Sequence, residues 1–274
     1  MTPTLWMLLS TLLFAILGAI VKLLHRLSVW EVVFFRAFFN FLWLLPWVQQ
    51  NPDPSWRKEI KYLLVRGVSG FTSMVLYFYA LEHLNLADAV MLNYSSPIPT
   101  MVLSAFFLGE VLSITAMVFV GIAFVGIALI LKPSFAVADF AGIAGVLSAF
   151  AAAVAYVSMK MATKNINPRF IVFTFATISS ILCFVPMLLT FQPPTNQEWL
   201  LIFTLGVTAT FAQIAMTKAY AGLPASVASP LLLVTVLVSA LIGWITFNEV
   251  PALITVAGGL LVVGGLIGAH RFRR

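Results

Sequence analysis

Long apolar runs separated by short polar breaks extend along the whole chain. An apolar run of roughly 17 to 25 residues can cross the hydrocarbon core of a bilayer as a helix. The pattern predicts an all-α integral membrane protein with ten transmembrane helices. The predicted spans cover residues 3–24, 30–48, 62–81, 86–108, 114–131, 140–161, 169–189, 199–219, 225–247 and 252–269.

The composition agrees with a membrane protein and excludes a soluble fold. Of the 274 residues, 62% are hydrophobic and only 9% are charged, whereas about a quarter of the residues in soluble domains are charged. A soluble domain of this composition would expose a large apolar surface to water. The first apolar run has no basic segment before it and no small-residue cleavage site after it, so we interpret it as a retained span rather than a signal peptide.

Lysine and arginine are distributed unevenly between the two sets of loops. An even number of spans places both termini on the same side, and an excess of basic residues there makes that side cytoplasmic. One set holds 3 basic residues, Lys22, Arg26 and Lys132. The set on the side of the termini holds 11, namely Arg57, Lys58, Lys61, Arg66, Lys160, Lys164, Arg169, Lys218, Arg271, Arg273 and Arg274. The charges predict a multi-pass protein of the inner (plasma) membrane with cytoplasmic termini.

The two halves of the chain resemble each other. Several residues recur at one offset: Gly67 with Gly206, Ala80 with Ala219, Leu84 with Leu223, Ala89 with Ala228, Glu110 with Glu249 and Gly126 with Gly265. Chance similarity between apolar segments is the alternative, but a Glu-Val pair after an apolar helix in both halves argues against it. Residues 1–133 and 138–270 are therefore predicted to be two five-helix repeats. Because five is odd, the second repeat must insert with the opposite orientation.

Several stretches resemble a known family. Residues 80–90, the pair Ser96-Pro97 and residues 107–110 look like the signature half of EamA-type carriers of the drug/metabolite transporter (DMT) superfamily. Residues 34–39, which contain Arg36, are similar to the arginine-bearing second helix of that family. The resemblance implies two inverted five-helix halves around a central cavity that is lined mainly by helices other than the fifth and tenth.

The resemblance also implies a function. It predicts a secondary transporter that moves a small organic metabolite across the inner membrane by alternating access. Amino-acid-like, nucleoside-like and vitamin-like compounds all stay open, and residues 35–38 with 77–80 loosely resemble the branch that contains S-adenosylmethionine carriers. A multidrug or lipid exporter on the same fold is the alternative. Thr174 or Phe175 stands in the region matching Arg36, so a two-fold symmetric site is not expected.

Arg36 is the main candidate for substrate binding. It lies inside the second predicted span, where a charged side chain costs at least roughly 2.5 to 3.5 kcal/mol and usually faces a cavity or a partner. A carboxylate or phosphate on the substrate is one such partner. The alternative is a structural arginine that reaches toward the interface or pairs with Glu31 or Glu82.

The fourth predicted span contains a candidate helix break. Pro97 and Pro99 remove backbone donors, and Asn93, Tyr94 and Ser96 can supply local hydrogen bonds. These three polar residues are also predicted to bind the substrate. Broken helices at mid-depth are how many carriers expose polar backbone to a ligand, although a simple packing kink is the alternative. Pro230 in the ninth span is predicted to play a matching part.

Further candidates come from polar and aromatic residues in the predicted bundle core. Tyr77, Tyr156, Gln213 and Trp244 are predicted to line the substrate site, although such aromatic residues in membrane proteins more often mark interfaces or fill packing gaps. Glu110 and Glu249 each follow an apolar helix. We interpret both as structural caps of the next helix N-terminus rather than ligand contacts.

The sequence offers no chemistry for catalysis. One cysteine and three histidines near segment ends predict no metal site, and we expect no cofactor and no nucleic-acid partner. Neither a Walker A loop nor a Gly-x-Ser-x-Gly or His-Glu-x-x-His motif occurs. An intramembrane enzyme is therefore the less favoured class, and the chain is predicted not to be an enzyme.

The remaining expectations concern partners and energy coupling. The expected partners are the small-molecule substrate and the lipid bilayer. Glycines in the fifth and tenth spans permit close helix approach, either within the monomer or in a homodimer. The acidic residues gather near the ends of spans, so facilitated diffusion or exchange is expected as readily as proton coupling.

Overall fold

The computed structural model describes residues 2–109, 114–130, 140–223, 225–249 and 252–271. These residues form α-helices joined by short turns, with one 3₁₀ helix at Pro54–Arg57 and no strand, so the all-helical prediction is confirmed for them. The helices are α1 Pro3–Leu23, α2 Val29–Gln50, α3 Ile60–His83, α4 Leu86–Asn93, α5 Pro97–Leu108, α6 Ile114–Ile130, α7 Phe140–Ala162, α8 Pro168–Thr190, α9 Asn196–Gly222, α10 Ala225–Leu231, α11 Val234–Phe247 and α12 Leu253–Arg271.

The longest helices have the length and composition of membrane spans. Six helices in the described part of the chain, α1 to α3 and α7 to α9, are long and apolar enough to cross a bilayer by themselves. Large apolar side chains cover the outside of the bundle, as at Phe106, which is 81% exposed. Such a surface is stable only against lipid. The chain is therefore a multi-pass membrane protein.

Local sequence explains where the helices begin. Ser28 and Glu31 form a reciprocal capping box at the start of α2, and Thr195 and Glu198 form another at the start of α9. Each box satisfies backbone N–H groups that the first helical turn leaves unpaired. α1 and α8 begin with proline, whose missing N–H has no helical partner to lose at that position.

The main helix contacts join the first half of the chain to the second. α1 packs on α9, α3 on α7, α2 on α8 and α6 on α12. The last pair approaches closely at glycines: a Cβ at Gly126 would overlap the Gly258 carbonyl, and one at Gly265 would overlap the Phe119 carbonyl. Small residues permit this backbone-to-backbone approach between membrane helices. The resulting bundle has an extensive interface between its halves.

Two lysines cap helix C-termini on opposite sides of the bundle. We call these sides the Lys22 end and the Lys160 end. Lys22 Nζ donates to the Leu84 carbonyl at 2.7 Å. Lys160 Nζ donates to the carbonyls of Tyr220 and Leu223 at 2.8 and 2.9 Å. Cations satisfy the unpaired carbonyls and the negative dipole at helix C-termini. Each lysine therefore anchors its own helix to the end of another helix of the same half.

Loops at the Lys22 end join the two halves. Arg26 Nε donates to Glu198 Oε1 at 2.7 Å, and this hydrogen bond is the main cause that raises the pKa of Arg26 above its ordinary value. The Gln192 N–H donates to Glu31 Oε1 at 2.9 Å. The polar contacts fasten the loop before α2 to the loop before α9.

The Lys160 end has a matching pair of loop contacts. The Asn167 N–H donates to Asp53 Oδ2 at 3.0 Å, and Asn165 Nδ2 donates to Glu59 Oε1 at 2.6 Å. These contacts fasten the loop before α3 to the loop before α8. The halves are therefore tied together by polar side chains at both ends of the bundle.

The fourth predicted span is divided in the structure. α4 ends at Asn93 and α5 begins at Pro97, so Pro97 and Pro99 lie in the first turn of α5. The N–H groups of the first helical turn have no acceptor within the helix, so proline at these positions costs no helical hydrogen bond. The ninth predicted span is divided at Leu232 and Leu233, two residues beyond Pro230, which belongs to α10. The side chain of Pro230 lies outside the described residues.

Glu249 caps the start of α4. Its Oε2 accepts the Leu86 N–H at 2.8 Å. The predicted cap of the segment after Glu249 falls on residues 250 and 251, which lie outside the described residues. Its Oε1 lies 2.6 Å from Lys22 Nζ. Glu249 therefore connects the second half of the chain to two helices of the first half. Glu110, the corresponding residue in the first half, lies outside the described residues.

Candidate functional site

A central cavity lies between the two halves of the bundle. Its walls come from α1 to α4 and from α7 to α9, and it contains about 60 Å³ of free space. Its polar lining is Arg36, Arg66, Ser73, Tyr77, Asn93, Tyr94, Tyr156 and Gln213. Pockets that hold drug-sized ligands have roughly 300–1,000 Å³, so this cavity is smaller than a site of that kind.

Six of the eight predicted substrate residues come together in this cavity: Arg36, Tyr77, Asn93, Tyr94, Tyr156 and Gln213. Ser96 is buried at the break between α4 and α5 but does not line the cavity. Trp244 lies outside it, with 58% of its surface exposed. The buried face of α11 is formed by Thr235, Val236, Ser239 and Gly243, and Trp244 points away from that face.

Arg66 is a cavity residue that the sequence analysis assigned to a cytoplasmic loop, and that assignment is wrong. It lies in the second turn of α3 and is only 3% exposed. Arg66, Gly70, Ser73 and Tyr77 recur at helical spacing and all line the cavity. Residues at this spacing share one face of a helix, so a run of polar and small residues on one face of α3 was the signal that could have identified Arg66.

Arg36 is held in the cavity by neutral groups. It is 4% exposed, its Nη1 contacts Met74 Sδ, and its Cζ lies 5.7 Å from the centre of the Phe78 ring. Among the described residues, no carboxylate lies within ion-pairing distance of Arg36. The structure therefore supports neither a pair with Glu31 or Glu82 nor an arginine that reaches the interface.

Arg66 lies against the second half of the chain. Its Nη2 donates to Gln213 Oε1 at 3.3 Å, and its Cζ lies 4.2 Å from the centre of the Phe175 ring. A Cβ at position 70 would overlap Arg66 Nη1. Gly70 therefore provides the space that this guanidinium group occupies.

Tyrosines and an amide complete the cavity wall. Asn93 Nδ2 donates to Ser148 Oγ at 2.8 Å, which joins α4 to α7 across the site. The Tyr77 and Tyr94 rings meet edge to face with centroids 6.3 Å apart. The Tyr77 hydroxyl is buried and has no hydrogen-bond partner among the described residues. The hydroxyl lies against α1, where a Cβ at Gly18 would come within 3.3 Å of it.

Phe78 separates the central cavity from a second pocket. The second pocket, of about 320 Å³, opens at the Lys22 end and is lined by Lys22, His25, Glu82 and Phe247 among others. Phe78 is 1% exposed and lines both spaces. The Phe78 ring therefore lies between the two spaces.

The model of the EamA-like transporter family matches the chain twice, over residues 1–132 and 139–270. The chain belongs to the EamA-like transporter family. The matches cover nearly the whole chain, so the family resemblance inferred from residues 80–90 and 107–110 is confirmed. This EamA family member is a small-molecule transporter of the DMT superfamily.

Curated relatives of this EamA protein are also transporters. It is 31% identical over 269 residues to the pseudopaline exporter CntI of Pseudomonas aeruginosa strain UCBPP-PA14, covering 97% of this chain and 95% of that protein. It is 26% identical over 268 residues to the S-adenosylmethionine uptake transporter of Rickettsia prowazekii strain Madrid E, covering 94% of this chain and 88% of that protein. The relatives of this EamA protein therefore include one named as an exporter and one named as an uptake transporter.

A solved structure shares the fold of this EamA protein. A crystal structure of another protein superposes with a TM-score of 0.72 at 18% identity, covering 97% of this chain and 96% of that one. At this identity the similarity shows the fold alone. Within the described residues of this EamA protein, no cluster of histidine, cysteine, aspartate or glutamate is placed to hold a metal ion.

Proposed function

We propose that this chain is a ten-span secondary transporter of the inner (plasma) membrane that moves a small organic metabolite by alternating access. Residues 1–133 and 138–270 are its two halves, inserted with opposite orientations, and both termini lie in the cytoplasm. Rocking of the halves about the central cavity opens the cavity first to one side of the membrane and then to the other.

The polar cavity between the halves is the observation that carries this proposal. The hydrogen bonds Asn93–Ser148 and Arg66–Gln213 both cross from one half to the other at the cavity. Inverted-repeat carriers bind their substrates at this kind of interface, near the bilayer midplane. A movement of one half against the other changes the shape of such a site directly.

The helix contacts support two inverted repeats. If α1 to α6 are matched in order with α7 to α12, counting each broken span as one, the contact of α1 with α9 corresponds to that of α3 with α7. The same matching pairs α2 with α8 and α6 with α12, so exchanging the two halves leaves the α2–α8 and α6–α12 contacts unchanged. The carbonyl contacts of Lys22 with Leu84 and of Lys160 with Leu223 also correspond.

The count of ten spans rests on six long helices and four further segments. α4 with α5 and α10 with α11 each form one interrupted segment of about the length of α1. α6 and α12 pack together and supply the remaining two. Each segment reaches roughly the length that a helix needs to cross a bilayer.

The basic residues support cytoplasmic termini. Removing Arg66 from the loop count leaves the bias toward the Lys160 end, which retains Arg57, Lys58, Lys61, Lys164 and Arg169 near helix ends. Positively charged loops stay on the cytoplasmic side. We therefore assign the Lys160 end to the cytoplasm.

Transport without proton coupling is the mode that the acidic residues favour. The described carboxylates lie at helix ends or in turns: Glu31, Asp53, Glu59, Glu82, Asp88, Glu198 and Glu249. Proton-coupled carriers ordinarily relay protons through carboxylates inside the membrane. We propose exchange or facilitated diffusion, and relatives named as an exporter and as an uptake transporter support a fold that allows either direction.

Cysteine labelling in a Cys183→Ala background tests the topology. Cysteines at positions 57 and 164 should react with an impermeant reagent only from the cytoplasmic side, and cysteines at positions 25 and 192 only from the other side. Labelling of positions 57 and 164 from opposite sides would disprove the inverted arrangement.

Transport by purified protein in liposomes tests the mechanism. We expect saturable uptake of a labelled metabolite that is accelerated by unlabelled metabolite inside and continues without a pH gradient. Uptake that strictly requires the gradient would overturn the uncoupled mode. Protection of cells against chemically diverse cationic drugs, without saturable uptake of any one metabolite, would favour a multidrug exporter instead.

A further inference from the structure

The central cavity holds two arginines on neighbouring helices, Arg36 on α2 and Arg66 on α3. Both are more than nine-tenths buried. Their guanidinium carbons lie 6.0 and 4.2 Å from the centre of the same Phe175 ring, so they are no further apart than the sum of those two distances. The cavity is therefore the meeting point of two positive charges.

Neither charge is neutralised by its described neighbours. The side-chain partner of Arg36 is the Met74 sulfur, and that of Arg66 is the Gln213 amide oxygen. The Nε atoms of both arginines are buried without a hydrogen-bond partner in the described part of the chain. Buried charges are normally paired, and two like charges in one cavity repel each other. The arrangement is complete only when negative charge enters the cavity.

We propose that the cavity binds a small metabolite with two carboxylate groups, one on Arg36 and one on Arg66. This inference rests on the proposed function, because it names the substrate class of the same cavity. A guanidinium group presents a planar fork of donors that matches the two oxygens of a carboxylate. The Nε atoms of both arginines have no hydrogen-bond partner among the described residues, so a carboxylate bound there would not displace an existing contact of those atoms.

The two guanidinium groups lie against different parts of the cavity wall, so we assign one carboxylate to each. Arg36 lies against Phe78, toward the pocket at the Lys22 end, whereas Arg66 lies against Gln213 and Gly70. The Phe175 ring lies beside both groups. A short carbon chain between the two carboxylates would pass along this ring.

The cavity must widen for such a ligand to enter, because its free space of about 60 Å³ is smaller than a dicarboxylate with its contacts. Binding therefore separates the halves or moves side chains such as Phe78. We expect dicarboxylates to favour a different arrangement of the halves from the one in the structure.

Thermal unfolding of the purified full-length protein in detergent tests the proposal. The probes are unbranched dicarboxylates from malonate to adipate, the monoamides of the same acids, the corresponding monocarboxylates and inorganic phosphate. We expect at least one dicarboxylate to raise the unfolding midpoint at roughly tenfold or more lower concentration than its monoamide. Equal stabilisation by the monoamide, or stabilisation by phosphate alone, would overturn the two-carboxylate site.

Variants that each remove one positive charge show which arginines produce the preference for the dicarboxylate. Arg36→Gln and Arg66→Gln should each remove the preference for the dicarboxylate over its monoamide, whereas Arg57→Gln, an exposed residue at the Lys160 end, should retain it. If either buried variant does not fold, Arg36→Lys and Arg66→Lys keep the charge and should weaken dicarboxylate binding through loss of the fork. Retention of the full preference in the Arg66 variants would refute the role of that residue.

The proposal and the proposed function can fail separately. The protein could show the expected cysteine topology and saturable exchange of a monocarboxylate or a cation. That result would support the proposed transport function and exclude a dicarboxylate as the substrate. Cysteine labelling that contradicts the inverted arrangement of the halves would disprove the proposed alternating-access mechanism, even if a dicarboxylate stabilises the protein.

Discussion

Lys22 Nζ lies 2.6 Å from Glu249 Oε1, and this ion pair joins the two halves of the bundle at the Lys22 end. Both side chains are largely buried, and Glu249 also accepts the Leu86 N–H. Glu249→Gln should lower the free energy of unfolding by about 1–3 kcal/mol, because charged hydrogen bonds in partly buried positions contribute that much. Chemical denaturation of the purified protein measures the loss.

A double-mutant cycle separates the free energy of the Lys22–Glu249 ion pair from that of the cap that Glu249 provides to Leu86. Lys22→Met and Glu249→Gln together should cost less than the sum of the single variants, since both remove the same contact. Strictly additive losses would show that the two residues do not stabilise one another.

Lys160→Met should also destabilise the bundle, by about 1–2 kcal/mol, because the carbonyls of Tyr220 and Leu223 lose a charged donor. Lys218→Met is the comparison, since Lys218 Nζ lies over the half-buried Trp6 ring and a cation–π contact near the surface contributes roughly 0.5–1 kcal/mol. Equal losses for the two variants would contradict a capping role for Lys160.

Phe78→Ala should connect the central cavity with the pocket at the Lys22 end, because this ring lines both. A cysteine at Ser73, which lines the cavity, should then react severalfold faster with a small thiol reagent from the Lys22 side. Phe106→Ala on the exposed surface should leave that rate unchanged. An unchanged rate in Phe78→Ala would show that another element closes the route.

Gly70→Ala should disturb ligand binding without changing any charge. The added methyl group would overlap Arg66 and meet the Phe175 ring, so the guanidinium group has to move. We expect the dicarboxylate preference in thermal unfolding to fall. Gly121→Ala is the matched control, because a Cβ there meets no atom within 4 Å. Loss of the preference in both variants would point to a general effect on the helices.

The sequence alone predicts much of the fold, because apolar length decides where a helix can cross a bilayer. The predicted span 30–48 differs from α2 by only a few residues, and so does 62–81 from α3. The interruption between Asn93 and Pro97 coincides with two prolines that the sequence displays.

The site was harder to predict, because the orientation of a side chain depends on which helices pack together. Arg66 stands near the start of its span, and proximity to a helix end led to its assignment to a loop, whereas its burial depends on α7 and α8. Trp244 was expected to line the site as an aromatic residue of the predicted bundle core, and the packing of α11 on α1 and α4 shows which face of the helix is buried. The ion pair of Lys22 with Glu249 joins residues too distant in sequence for local patterns to connect them.

The position of Phe78 has a consequence for movement inside the bundle. Its ring is almost fully buried and lines both the central cavity and the pocket at the Lys22 end. A molecule that passes directly from one space to the other has to displace this ring, so the rotation of a single side chain sets the upper limit on how fast the passage can occur.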